Sequence, residues 1–240
     1  MVKASSRLPP ERLRYGKETH RPLNQLLVIA PLLVIFQLGA MHWGSSLLVP
    51  HYLRYVFLQM GVTGPFLSAG LVVAVLLGQH LTRNDPWRVN GWVAGGIVVE
   101  SALWSVPLLG LSWITRDFTP AAIRQDLLRG VVEAVGAGVY EEFLFRLVLL
   151  SVLMMVFVDL LGLRKETFGV VAVVLAGVAF AALHFSPGQW QGEAPLPWGR
   201  FVFLSVAGVW WGVLFVWRGF ATAVCSHVWW DLFVAAMGAK

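Results

Sequence analysis

The chain has 240 residues, 58% of them hydrophobic and 13% charged, with a mean hydropathy of +0.71. A soluble domain carries about twice that charged fraction, so the composition excludes an ordinary water-soluble fold and indicates one polytopic membrane domain. The net charge of +5 comes without a second basic patch or an aromatic RNA-reading motif, which argues against nucleic-acid binding.

Residues 1–21 hold Lys3, Arg7, Arg12, Arg14, Lys17 and Arg21 against two acids, and read as a basic cytoplasmic N-terminal segment. The basic stretch and the apolar run after it are both long, so this start reads as a membrane anchor and not as a cleaved signal. A membrane helix needs about 20 apolar residues. By that measure Pro22–Trp43, Thr63–Leu81, Asn90–Ile114, Gly130–Leu161, Thr167–Phe185, Phe201–Trp217 and Phe220–Gly238 are spans, and residues 22–240 form a single transmembrane domain. Gly130–Leu161 is too long for one straight span and must tilt or begin outside the hydrocarbon. Leu47–Met60 contains Pro50, His51 and Arg54 and reads as an interfacial or short re-entrant segment. Ser186–Pro197 is the clearest loop, because its Pro and Gly residues break helices. It follows His184 and is a connector or a lid.

Basic residues mark alternate loops: the N-terminus, Arg83–Arg88, Arg164-Lys165 and Arg218. The positive-inside rule then puts the N-terminus in the cytoplasm. The opposite loops are poorer in basic residues, except Thr115–Arg129 with Arg116, Arg124 and Arg129. The expected fold is all-α, a polytopic helical bundle of about seven or eight membrane helices, in a cell (inner) membrane if the source is bacterial.

Glu141-Glu142-Phe143-Leu144-Phe145-Arg146 lies inside the fourth apolar segment. Ionised groups are costly there and mark function. Glu142 and Arg146 are four apart on a helix, in the favourable order for an ion pair. Glu141 points about 100° round the axis and stays uncommitted. An uncommitted carboxylate can take a proton from water and return it. Phe180 and His184 share a face of the fifth span. His227 and Asp231 share a face of the seventh. Spacing alone does not bring these helices together.

Of the other membrane acids, Glu100 should pair or accept hydrogen bonds, and Glu133 should sit at the interface. Gly130, Gly136 and Gly138 suit close helix packing. Cys225 is the only cysteine, which excludes an intrachain disulfide, and it faces away from His227. HExxH and GxSxG are both missing, so zincin and nucleophile-elbow chemistry fail. Glu141, His184 and His227 remain a possible zinc ligand set, a carboxylate with two histidines.

The ordered set Glu141-Glu142-x-x-x-Arg146, Phe180-x-x-x-His184 and His227-x-x-x-Asp231 resembles the CPBP family. These are the CAAX prenyl protease and bacteriocin-processing, glutamate-dependent intramembrane endopeptidases. The resemblance covers about residues 131–236. It implies a CAAX-protease-like bundle that hydrolyses a peptide bond in a membrane-anchored protein or peptide without a cofactor. It also implies catalytic Glu141, His184, His227 and Asp231. Glu141 and His184 would activate water, and His227 and Asp231 would stabilise the oxyanion. Glu142, Arg146 and Phe180 would support the site. Prenyl-processing members carry Asn where this chain has Asp231. An ionised Asp repels an oxyanion, so Asp231 must be protonated or must orient His227. The competing readings are a non-catalytic scaffold or immunity protein on the same fold, and a small proton-coupled transporter.

Overall fold

The structure, a computed structural model, describes residues 10–115 and 127–238. Lys3, Arg7, Arg116 and Arg124 lie outside the described residues, as do the side chains of Arg12 and Arg14. The described elements are all helical. In chain order they are α1 (Pro10–Thr19), α2 (Pro22–Trp43), α3 (Leu48–Gln59), α4 (Leu67–Arg83), α5 (Gly91–Thr115), α6 (Leu127–Leu160), α7 (Lys165–Ala182), α8 (Pro187–Trp190), α9 (Trp198–Arg218) and α10 (Phe220–Gly238).

Six of these, α2, α5, α6, α7, α9 and α10, are long and apolar enough to cross a membrane, and α4 is a shorter apolar helix of 17 residues. The protein is an integral membrane protein. Its surface bears this out: Leu38 is 62% exposed and Trp92 93%, while Asn24, Ser101, Ser105, Glu142 and Arg146 are fully buried. Such an inside-out distribution suits a bundle that meets lipid on its flanks and keeps polar groups for its interior.

Local sequence sets the breaks. α2 begins on Pro22, whose missing N–H is harmless in a first turn, and stops at Gly44, where φ is 74°. α9 and α10 are separated by Gly219 alone, at φ 94°; a side chain there would meet the Thr19 carbonyl. α3 is the 12-residue helix of the expected interfacial segment, with Tyr52, Tyr55 and Leu58 exposed.

α6 answers the question of the overlong segment. It runs unbroken for 34 residues, about 51 Å at the standard rise, with π-helical stretches at Phe143–Leu150 and Met155–Leu160. π-helical insertions recur at functional sites because they rotate side chains without breaking the helix. The first begins directly after Glu142.

Two close crossings place the site. α7 and α9 meet at Gly177 and Gly208, where a methyl group on Gly208 would come within 2.8 Å of the Gly177 backbone. α6 meets α10 at Gly138, which faces the Val224 carbonyl and the Val228 amide at 3.2 Å from the position a Cβ would take. Gly136 lies against Phe36 and Leu47 instead, so it serves the α2 side of the bundle.

α1 was not foreseen as a helix. It packs on α5 and α2, and the chain between it and α2 is tied down at one end of the bundle. Arg21 bonds Glu18 at 2.8 Å and the Pro86 carbonyl at 2.7 Å. Arg83 donates to the His20 carbonyl at 3.0 Å, and His20 contacts the Trp217 carbonyl at 3.0 Å. The N-terminal segment, the Arg83–Arg88 loop and the end of α9 are thus drawn into one polar cluster. Burial opposes ionisation of Glu18, but hydrogen bonds from Arg21 and Asn24 hold its carboxyl below the ordinary value.

Candidate active site

α6 supplies two adjacent carboxylates that diverge. Glu142 is fully buried and turns inward: its Oε2 lies 3.0 Å from Arg146 Nε, four residues on. Arg146 donates from Nη2 to the Gly208 carbonyl at 2.8 Å and stacks over Phe180 at 5.0 Å. The Gly177–Gly208 crossing brings that carbonyl within reach. The ion pair is therefore compensated on both sides, as a buried charge requires.

The other oxygen of Glu142 makes a contact that helical spacing did not reveal. Oε1 lies 2.9 Å from His227 Nδ1 on α10. Glu142 thus bridges Arg146 and His227. A carboxylate paired with arginine only accepts, so His227 Nδ1 carries the proton that joins them. Nε2 is left facing Glu141 and Asp231.

Glu141 takes the opposite course. Its Oε2 stands 3.7 Å from His184 Nε2 and 3.9 Å from His227 Nε2. Neither separation is a direct hydrogen bond. Each leaves room for a water that contacts both partners at about 2.8 Å. The Glu141 and His184 side chains are 19% and 26% exposed, against 4% for His227, so the first two are the accessible members of the site.

His184 sits two residues past the end of α7, in the turn that follows it, and not within a span that reaches Phe185. Its Nδ1 bonds the Phe180 carbonyl at 2.8 Å. A carbonyl only accepts, so Nδ1 carries the proton and Nε2 faces Glu141. Phe180, fully buried, packs on the His184 ring at 4.6 Å and beneath Arg146. The turn continues into α8, capped reciprocally by Ser186 and Gln189, and Trp190 Nε1 donates to the Ala182 carbonyl at 3.2 Å. The Pro- and Gly-rich loop is thereby pinned beside His184.

Asp231 Oδ2 lies 3.8 Å from His227 Nε2, beyond hydrogen-bond distance. It stands on the Nε2 side of that ring, while Glu142 holds the other nitrogen. Glu141, near the middle of the 34-residue α6, meets His184 just past the end of the 18-residue α7.

The remaining acids are engaged elsewhere. Glu100 pairs with Arg218 at 2.7 Å and accepts from Trp104 Nε1 at 2.9 Å, as expected of a membrane acid. Glu133 is buried at the end of the bundle: it accepts the Ser46 amide at 3.1 Å and the Ser45 hydroxyl at 3.4 Å, bracing the α2–α3 turn. Among the described residues no group of three acids, histidines or cysteines has the spacing of a metal site.

Trp211 was overlooked. Its indole stacks on the His227 ring at 3.9 Å and 11°. One tryptophan among 12, it belongs to no motif, and only the α9–α10 packing marks it out.

Residues 123–233 match the family described as Type II CAAX prenyl endopeptidase Rce1-like. No curated protein and no solved structure matches the chain. The matched segment contains all three motifs and every side chain placed around Glu141 above. Over this segment the chain is similar to the CAAX protease family.

Proposed function

We propose that this protein is an intramembrane endopeptidase that cuts a membrane-anchored protein or peptide with a water activated by Glu141 and His184. One observation carries the reading: Glu141 faces the free nitrogens of His184 and His227, while its neighbour Glu142 is wholly committed to Arg146 and His227.

Glu141 and His184 hold the water between them, and Glu141 takes its proton as the oxygen attacks the carbonyl carbon. The carbonyl oxygen becomes an oxyanion. His227 Nε2, protonated, and Asp231, as a neutral carboxylic acid, donate to it. Because Nδ1–H is given to Glu142, a donor at Nε2 exists only when the ring is a cation. The C–N bond then breaks, and the proton held by Glu141 passes to the departing amine. The Glu142 contact at Nδ1 leaves Asp231 no role in orienting His227, which supports its action as the second donor.

The similarity to a prenyl endopeptidase family supports a membrane-anchored peptide as substrate: a prenylated C-terminal CAAX peptide is one form, a differently anchored peptide another. The basic loops gathered with α1 support a cytoplasmic N-terminus.

The test uses wild type and Glu141→Gln in liposomes, with a farnesylated CAAX peptide and unprenylated acyl-anchored peptides as substrates. Products are read by mass spectrometry, with and without a chelator. We expect cleavage by wild type that resists the chelator and disappears in the variant. Equal cleavage by the variant would remove Glu141 from the mechanism. Loss on chelation would return zinc on Glu141, His184 and His227. If neither protein cuts, a cellular phenotype that survives Glu141→Gln would favour a scaffold.

A further inference from the structure

Trp211 touches the proposed machinery without belonging to any motif of it. It is 1% exposed and sits one turn along α9 from Gly208. The two residues share a helix face, and each holds a different member of the buried network. Gly208 accepts Arg146, and Trp211 covers His227. The indole is itself wedged by Phe180 at 5.7 Å and Trp230 at 6.1 Å, both edge-on.

The chemistry of the contact lies in its plane. Trp211 Nε1 is buried and makes no hydrogen bond within the protein, so its contact with the site runs through the ring face. A buried N–H without a partner is costly, and a smaller apolar side chain would avoid that cost. The near-parallel stack is what the indole provides. Glu142 fixes one atom of His227, Nδ1, at 2.9 Å. A single hydrogen bond leaves the ring free to rock about it. A flat surface at 3.9 Å removes that freedom, and Nε2 is then held between Glu141 at 3.9 Å and Asp231 at 3.8 Å. Tryptophan is also the side chain whose face best accommodates a cation, the form of His227 that can donate at Nε2.

We propose that Trp211 is a positioning residue: its stacked indole fixes the plane of His227 so that Nε2 faces the reacting carbonyl. The proposal rests on the peptidase reading above and adds to it the element that orients the oxyanion donor.

The experiment compares wild type, Trp211→Leu, Trp211→Phe, His227→Gln and the His227→Gln/Trp211→Leu double variant. All are reconstituted in liposomes, with whichever peptide wild type cleaves as the probe. Thermal unfolding reports the folded fraction. Should Trp211→Leu fail to fold, Trp211→Met, a flexible volume filler, takes its place in single and double variants. We expect the unstacked single variant to lose about 10²-fold in kcat, the scale of a misaligned catalytic group, with KM unchanged. Trp211→Phe, which keeps a flat ring, should retain most of kcat. The double variant should be no worse than His227→Gln, because Trp211 acts through that ring. A further loss in the double variant, a raised KM at constant kcat, or a phenylalanine as poor as leucine would each overturn the proposal. If His227→Gln itself cleaves normally, the peptidase assignment of His227 has failed. If His227→Gln is impaired and Trp211→Leu is not, only the present inference has failed.

Discussion

Two polar clusters lie within this apolar chain, and their distances differ in kind. At the α1 end, Arg218 meets Glu100 at 2.7 Å, Arg21 meets Glu18 at 2.8 Å, and Asn24 donates to the Glu18 carbonyl at 2.9 Å. Each of these groups has a partner at hydrogen-bond distance. Around Glu141 the gaps to His184 and His227 are 3.7 and 3.9 Å, and the gap from His227 to Asp231 is 3.8 Å. Directly beneath lies a closed layer, Glu142 with Arg146 and His227 at 3.0 and 2.9 Å. A membrane protein satisfies its buried polar groups with one another wherever it can. Around Glu141 the groups stand farther apart than a hydrogen bond, above a layer whose members meet at 2.9 and 3.0 Å, and this difference supports the proposed role of Glu141.

The comparison is broken or sharpened by variants on either side of it. The largest effect should come from Glu141→Gln, which keeps size and removes the base: cleavage falls by about 10²- to 10⁴-fold while the unfolding temperature stays put. A matching loss from Glu100→Gln would show that the two clusters are not functionally distinct.

Next comes the closed layer. Arg146→Met strands Glu142 as a buried charge and should cost about 3–5 kcal/mol, read as a lower unfolding temperature together with lost activity. An Arg146→Met protein of normal stability would mean that Glu142 is not held as an ion.

Gly177→Ala should be smaller, about 1–3 kcal/mol, because the methyl group would press on the α9 backbone at Val209. Activity should fall with it, since the same crossing presents the Gly208 carbonyl to Arg146.

The α1 end should respond in stability alone. Arg218→Leu, at a pair that is partly exposed, should cost about 1–2 kcal/mol with kcat unchanged, measured by unfolding and cleavage on the same preparation. The smallest effect belongs to Glu18. Its carboxyl is held below its ordinary value of 4.5, so its contribution is complete above that pH and fades as pH falls through the lower folded value. Wild type and Glu18→Gln should therefore differ in unfolding temperature near neutral pH and converge in acid.

Much of the architecture was legible in advance because membrane helices are written in composition. α2 begins and ends where the hydropathy of Pro22–Trp43 does, and α5, α7, α9 and α10 fall within a few residues of their expected limits. The division of labour between Glu141 and Glu142 was legible too, since it needs only the angular step of one helix. Less visible were contacts between helices. Glu142 reaching His227, Gly208 receiving Arg146, and Trp211 covering His227 join residues 85, 62 and 16 positions apart, respectively, and no local periodicity encodes such a meeting.

The sequence by itself determined that the chain is a helical membrane bundle, which residues carry charge into it, and which neighbour on α6 each charge would avoid or join. Those properties follow from hydrophobicity and from the fixed geometry of a single helix. Only the tertiary structure decided that α6 runs as one helix of 34 residues through its π-helical stretches, that His184 leaves α7 and turns back towards Glu141, and that His227 is held by Glu142 and Trp211 and not by Asp231. The physical reason is that these depend on where glycines let backbones approach, at Gly138 and at Gly177 with Gly208, and a close approach is a property of two helices and not of one.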